Sequence, residues 1–171
     1  MKGVLIVVFG LLLCSNMFAQ TPVNVPEPSY LKNPGIPLFR LLKVDSIHYV
    51  TKEDIPKNRK VLLMFFSPEC EHCKHQIRDI LAEMNKFKDI EILMGTFQPF
   101  EEMKTFYEYF KIGDHSNILI GRDEKYFFPP YYKMQSLPFL ALYDKKGQYI
   151  THFEGNQKVE TILNAFEEKD K

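Results

Sequence analysis

The chain has 171 residues, 45% of them hydrophobic and 14% aromatic, and its 22 basic and 22 acidic residues cancel to a formal net charge of zero. That balance gives no sign of the basic excess of a nucleic-acid binder or of an electrostatic patch for an anionic membrane. Without a leader, about 150 residues remain, enough for one domain with its own core.

Taken in chain order, residues 1–19 read as a secretory signal. Lys2 supplies the positive start, residues 4–13 the apolar stretch, and Met17-Phe18-Ala19 a cleavage site before Gln20. The apolar stretch is shorter than the ~20 residues a spanning helix needs, so the mature chain is expected to have no membrane span. Cys14 would suit a lipoprotein signal, but Leu13 stands where such a signal wants Gly, Ala or Ser, which argues against a lipid anchor. The expectation is export to a periplasmic or other extracytoplasmic space.

Residues 20–35 carry Pro22, Pro26, Pro28, Pro34 and Gly35 and read as an extended tether before a domain spanning 36–171. Residues 36–44 and 47–50 predict a hairpin, and Thr51-Lys52-Glu53-Asp54 a capped single helical turn. The continuous apolar run 61–66 predicts a buried strand. It hands over, through Cys70-Glu71-His72-Cys73, to a segment with Ile77, Ile80, Leu81, Met84 and Phe87 at helical spacing. Further on, 90–96 predicts a strand, 99–111 a helix opened by proline and acidic residues, and 117–121 a strand. The run 123–133, dense in aromatics and broken by Pro129 and Pro130, has no clear periodicity. An aromatic surface there could grip a client, or Phe127 and Phe128 could simply cap the core. The chain closes with a hairpin, 139–143 and 148–153, and a helix from Gln157 to about Glu168.

The two cysteines at 70 and 73 carry the chemistry. Unpaired N–H groups and the macrodipole at a helix start favour a thiolate, which can attack disulfides. The expected attacking thiol is therefore Cys70, with Cys73, one turn on, resolving the mixed disulfide. In an exported chain left with only these two of its three cysteines, the pair suits exchange better than a static bridge, since so short a loop gains little chain entropy. A c-type haem site needs His where Lys74 stands. Copper or zinc could recruit both thiols with His72 or His75, leaving a metal-binding chaperone or a non-catalytic accessory domain with a structural disulfide as alternatives. No resident metal or cofactor is expected.

The strand, the Cys-x-x-Cys and the helix, with Ser136-Leu137-Pro138-Phe139 before the apolar strand 139–143, resemble the thioredoxin superfamily and its secreted TlpA/ResA-like thiol–disulfide oxidoreductases. The resemblance covers roughly residues 36–167. It implies an α/β thioredoxin fold, a central mixed sheet flanked by helices, with an N-terminal β-hairpin and a β–α insertion before the strand that follows a cis-proline. It also implies that Pro138 is that proline, facing the cysteines, and that Leu137 presents its backbone to a client. Implied partners are client proteins with disulfides or thiols, apocytochrome c among them, and an unidentified electron-donor protein. Two residues are expected to tune the redox potential. Glu71 matches the reductant-type Cys-Glu-Pro-Cys, and His72 sits where strongly oxidising relatives carry Cys-Pro-His-Cys. The leaning is to a reductant. One departure is Gln76, where reductase relatives often carry a Glu; an amide cannot take a proton from Cys73.

Overall fold

A computed structural model describes residues 27–167. The leader 1–19, Cys14 and the first part of the tether lie outside the described residues. The elements run α1 (Ser29–Lys32), β1 (Arg40–Leu42), β2 (Tyr49–Thr51), β3 (Lys60–Phe65), α2 (Glu71–Ala82), β4 (Ile90–Thr96) and α3 (Phe100–Tyr109). They continue through β5 (Ile118–Arg122), α4 (Phe128–Tyr132), β6 (Phe139–Tyr143), β7 (Tyr149–Glu154) and α5 (Val159–Glu167). Short 3-10 turns at Lys52–Asp54, Met84–Phe87 and Ile112–Asp114 link them. Among the described residues no helix is long and apolar enough to cross a membrane.

All seven strands form one mixed sheet in the order β2-β1-β5-β4-β3-β6-β7. β3 is central: it pairs in parallel with β4 and antiparallel with β6. Its apolar run has no polar face because both faces are covered. Leu62 and Met64 point into one layer with Ile92, Met94, Leu140 and Leu142, under Ile77 and Ile80 of α2, Met103 and Phe106 of α3, and Ile162 and Phe166 of α5. Val61, Leu63 and Phe65 point the other way with Leu93, Phe139 and Ala141, against Tyr30 of α1 and Phe128 and Tyr132 of α4. The strand period of two thus splits one sheet between two cores.

The expected β–α insertion is α3 with β5, an added crossover that brings β5 in parallel beside β4. On its other side β5 meets the N-terminal hairpin through the antiparallel pair Leu42↔Arg122. The strands approach so closely at Gly121 that a Cβ there would lie 2.7 Å from the Cβ of Leu41 and 2.9 Å from the carbonyl oxygen of Leu42.

Two local expectations need correction, and of two readings left open for residues 123–133 the fold favours one. Residues 27–35 are docked rather than extended. Tyr30 is buried against Tyr132 and Tyr149, and the Tyr149 N–H donates to the Pro34 carbonyl at 2.6 Å. One buried aromatic and a short backbone pairing with residues 147–149 together pin a proline-rich segment whose composition otherwise favours extension. The active-site helix stops at Ala82, where Glu83 leaves helical geometry (φ −115°), yet Phe87 on the following 3-10 turn still reaches the core. The aromatic run 123–133 is mostly structural: a one-turn helix with Pro129 and Pro130 in its first turn, whose Phe128 N–H is capped by Asp123 Oδ2 at 2.9 Å. Phe128 and Tyr132 are buried, while Tyr126 stays exposed.

Candidate active site

The chain leaves β3 through Ser67 and Pro68 and turns into α2 at Cys70. A bond from the Cys70 N–H to the Ser67 carbonyl (3.1 Å) shapes that turn. Cys70 is the N-cap, with extended backbone (φ −78°, ψ 114°), and its Sγ accepts the Cys73 N–H at 3.4 Å. A thiolate at that atom would receive one of the helix's orphan donors directly. Both cysteines are free thiols; Cys70 is half-buried and Cys73 is fully buried. Burial pushes the Cys73 thiol well above its ordinary range, the adjacent Cys70 thiol adds to the rise, and the Ser67 backbone opposes it less strongly. The pair is therefore asymmetric, with an accessible sulfur at the helix start and a protonated one beneath it.

Facing Cys70 is the segment before β6. The Leu137–Pro138 peptide bond is cis, and the Leu137 carbonyl oxygen lies 4.0 Å from Cys70 Sγ. Pro138 is buried and Leu137 half-buried. Leu137 also borders a small cleft of about 120 Å³ with Phe97, Tyr126, Pro129 and Met134. On the other flank a larger groove, about 500 Å³, opens between α2 and α3 over Pro68, Phe106 and Phe110, with Glu69, Glu71, Glu101 and Glu102 among its lining residues.

The two residues between the cysteines turn to other partners. The Glu71 carboxylate is exposed and accepts from Lys74 Nζ at 2.8 Å, and that ammonium holds its pKa below the usual carboxylate value. His72 Nδ1 lies 2.9 Å from Asn156 Oδ1, and Asn156 Nδ2 donates to the His72 carbonyl at 2.7 Å. His75, the other histidine near the thiols, pairs with Asp79 at 3.3 Å. Among the described residues no group of three or more His, Cys, Asp or Glu is arranged to hold a metal ion.

Sequence reasoning missed the segment 154–157. The Glu154 carboxylate accepts the Gln135 N–H (3.1 Å), the Ser136 N–H (2.8 Å) and the Ser136 hydroxyl (3.1 Å). The Gly155 N–H donates to the Pro138 carbonyl at 2.8 Å. Gln76, fully buried one turn after Cys73, makes a reciprocal pair with the Gln157 backbone: Nε2 to the carbonyl at 3.1 Å, and the Gln157 N–H to Oε1 at 2.7 Å. The hairpin register places Glu154 opposite Phe139, next to the cis-proline. That register was the one available signal, since Glu-Gly-Asn-Gln read alone is ordinary turn chemistry.

The profile of the thioredoxin-like domain family matches residues 50–169. Solved structures share the fold. An exposed lipoprotein thioredoxin of Streptococcus pneumoniae superposes with TM-score 0.61 at 23% identity, covering 77% of this chain and 99% of that one. The thioredoxin domain of a thiol-disulfide oxidoreductase from Bacteroides vulgatus gives 0.61 at 19%, covering 79% and 94%. A secreted Mycobacterium tuberculosis disulfide oxidoreductase homologous to E. coli DsbE gives 0.62 at 11%, covering 76% and 95%. No curated protein sequence matches the chain. With the profile match running from β2 past the last described residue, and the mixed sheet, cis-proline and Cys-x-x-Cys helix start in place, the chain belongs to the thioredoxin-like family.

Proposed function

We propose that the protein is an extracytoplasmic thiol–disulfide oxidoreductase that works as a reductant, with Cys70 as nucleophile and Cys73 as resolving thiol. The observation that carries the exchange chemistry and the roles of the two thiols is the asymmetry of the pair: Cys70 half-exposed at the helix N-cap, Cys73 fully buried with its pKa raised. The Cys70 thiolate attacks one sulfur of a client disulfide, forming a mixed disulfide and releasing the other client sulfur as thiolate. Cys73 then gives up its proton, taken by the client thiolate just released, and attacks Cys70 Sγ, releasing the second client sulfur as thiolate. Two electrons pass to the client, and the Cys70–Cys73 disulfide awaits a dithiol donor protein. The Leu137 backbone, facing Cys70, offers hydrogen bonds to an extended client segment. The exported solved relatives support the extracytoplasmic setting, and the N-terminal hairpin and β–α insertion support the reductant direction.

Alkylation of the reduced protein near neutral pH tests the roles: Cys70 reacts much faster than Cys73, and Cys73→Ser accumulates mixed disulfides through Cys70. Faster labelling of Cys73 reverses the assignment. A redox titration tests the direction, because a reductant titrates near thioredoxin, about −270 mV, and an oxidant near DsbA, about −120 mV.

A further inference from the structure

We infer that Glu154-Gly155-Asn156-Gln157 positions the two walls of the redox site against each other, with Glu154 governing how a client is held and Asn156 governing where the thiol stands. The inference rests on the exchange reaction proposed above.

The site has two walls from distant parts of the chain. One is the first turns of α2, which carry Cys70 and Cys73. The other is the Gln135–Pro138 loop, whose Leu137 carbonyl faces Cys70 Sγ across 4.0 Å. The residues 154–157, four in succession, bond to both. Glu154 holds the client-facing loop through three donors on Gln135 and Ser136, the two residues before Leu137. Hydrogen bonds to a charged acceptor are the stronger kind, and a carboxylate has the lone pairs to take all three. Gly155 holds the far side of the same loop at the Pro138 carbonyl. Asn156 and Gln157 then grip α2, at His72 between the cysteines and at the buried Gln76 below them.

The Asn156 contact also defines the imidazole. A carbonyl can only accept, so the amide nitrogen must face the His72 carbonyl and Oδ1 must face the ring. Oδ1 can only accept as well, so Nδ1 carries the proton and Nε2 is the basic nitrogen of neutral His72. Glu154 and Asn156 touch neither the sulfurs nor a client backbone; they are positioning residues. Because each serves a different wall, their loss separates in the kinetics. A loosened client loop weakens capture, whereas a shifted helix start misaligns the attacking sulfur after capture.

The test is steady-state reduction of a fluorogenic peptide disulfide, with saturating dithiothreitol as electron donor, by wild type, Glu154→Gln, Ser136→Ala and Asn156→Ala. Glu154→Gln, which replaces a charged acceptor by a neutral amide, raises KM about tenfold with kcat near wild type. Ser136→Ala, which removes one of the three donors, raises KM by a smaller factor. Asn156→Ala lowers kcat about tenfold with KM near wild type. It also returns His72 to the Nε2–H tautomer that free imidazole favours, read from ring nitrogen shifts. Both parameters changing together in either variant, neither changing, or an Asn156→Ala loss in kcat that disappears once rates are normalised to folded protein, overturns the inference. Should Glu154→Gln not fold, Ser136→Ala and Asn156→Ala decide it by the same split. A wild-type protein that reduces no disulfide refutes the oxidoreductase reading instead, while the tautomer measurement still reports whether Asn156 fixes the ring.

Discussion

Replacing Gln76 by Glu places a carboxyl one helical turn after Cys73, where nothing of the side chain meets water. The wild-type amide gives one donor to the Gln157 carbonyl and one acceptor to its N–H. A protonated carboxyl can reproduce both bonds, through its O–H and its second oxygen; a carboxylate can accept the N–H but must face the carbonyl with a bare oxygen. The fold therefore favours the protonated form and raises the pKa of the new group. With a folded-state pKa raised above the unfolded value, the stability of the variant is fully present below about pH 4.3 and is lost as pH rises through the folded value. At ~1.4 kcal/mol per pH unit, the loss reaches about 4 kcal/mol at pH 7 if the group is still protonated there. For a domain of this size that lowers Tm by roughly 8–15 °C. Thermal unfolding of the oxidised protein, with its thiols silent, checks this: variant and wild type melt together near pH 4 and diverge steadily up to pH 8. A constant offset across that range, or no offset at all, refutes the reasoning, since it means that water reaches the carboxylate.

Two further outcomes follow from the geometry. The raised Cys73 pKa stabilises the reduced fold fully below the ordinary thiol value of 9.0 and less as pH rises above it, by up to ~1.4 kcal/mol per pH unit. Urea unfolding of the reduced protein at pH 8, 9 and 10 should show this slope, and reduced Cys73→Ser should show a shallower one, left by the buried and half-buried tyrosines whose pKa values are also raised; equal slopes would place the titration elsewhere. Gly121→Ala drives a methyl group into Leu41 and the Leu42 carbonyl, and should cost about 1–3 kcal/mol in the denaturant midpoint. An unchanged midpoint would show that the joint between β1 and β5 yields freely.

The core strands and the cysteine turn were legible because each carries a local signal. Residues 61–66 are apolar without interruption, and Ile77 and Ile80 repeat at helical spacing, so a strand feeding a helix start at Cys70 follows from the chain alone. The hairpin of β6 and β7 was equally plain from the apolar run 139–143 and a second strand-forming run across the short turn Asp144-Lys145-Lys146-Gly147. The docking of Tyr30 was not, because proline content describes a backbone preference and says nothing of one ring finding a gap between Tyr132 and Tyr149. Nor were the real partners of Glu71 and His72. Both read as groups aimed at the thiols, but Lys74, one turn along the same helix, takes the first, and Asn156, 84 residues away, takes the second. The importance of Gln76 was half legible: its identity showed that it could not act as an acid, and only the packed fold shows what the amide does instead.

The seating of residues 27–36 bears on how molecules of this protein meet one another. β7 is the last strand of the sheet, and the outer side of such a strand offers unpaired N–H and C=O groups to any passing chain. Here Gly35 bridges to Gln148, the Ile36 N–H donates to the Gly147 carbonyl, and Pro34 receives the Tyr149 N–H. The opening stretch of that side is thus already paired from within, and Pro34 has no N–H of its own to extend the ladder. A protein trimmed to begin after Ile36 would lose this cover together with the Tyr30 ring, and would present a bare, aromatic-backed strand on which a second copy could add itself.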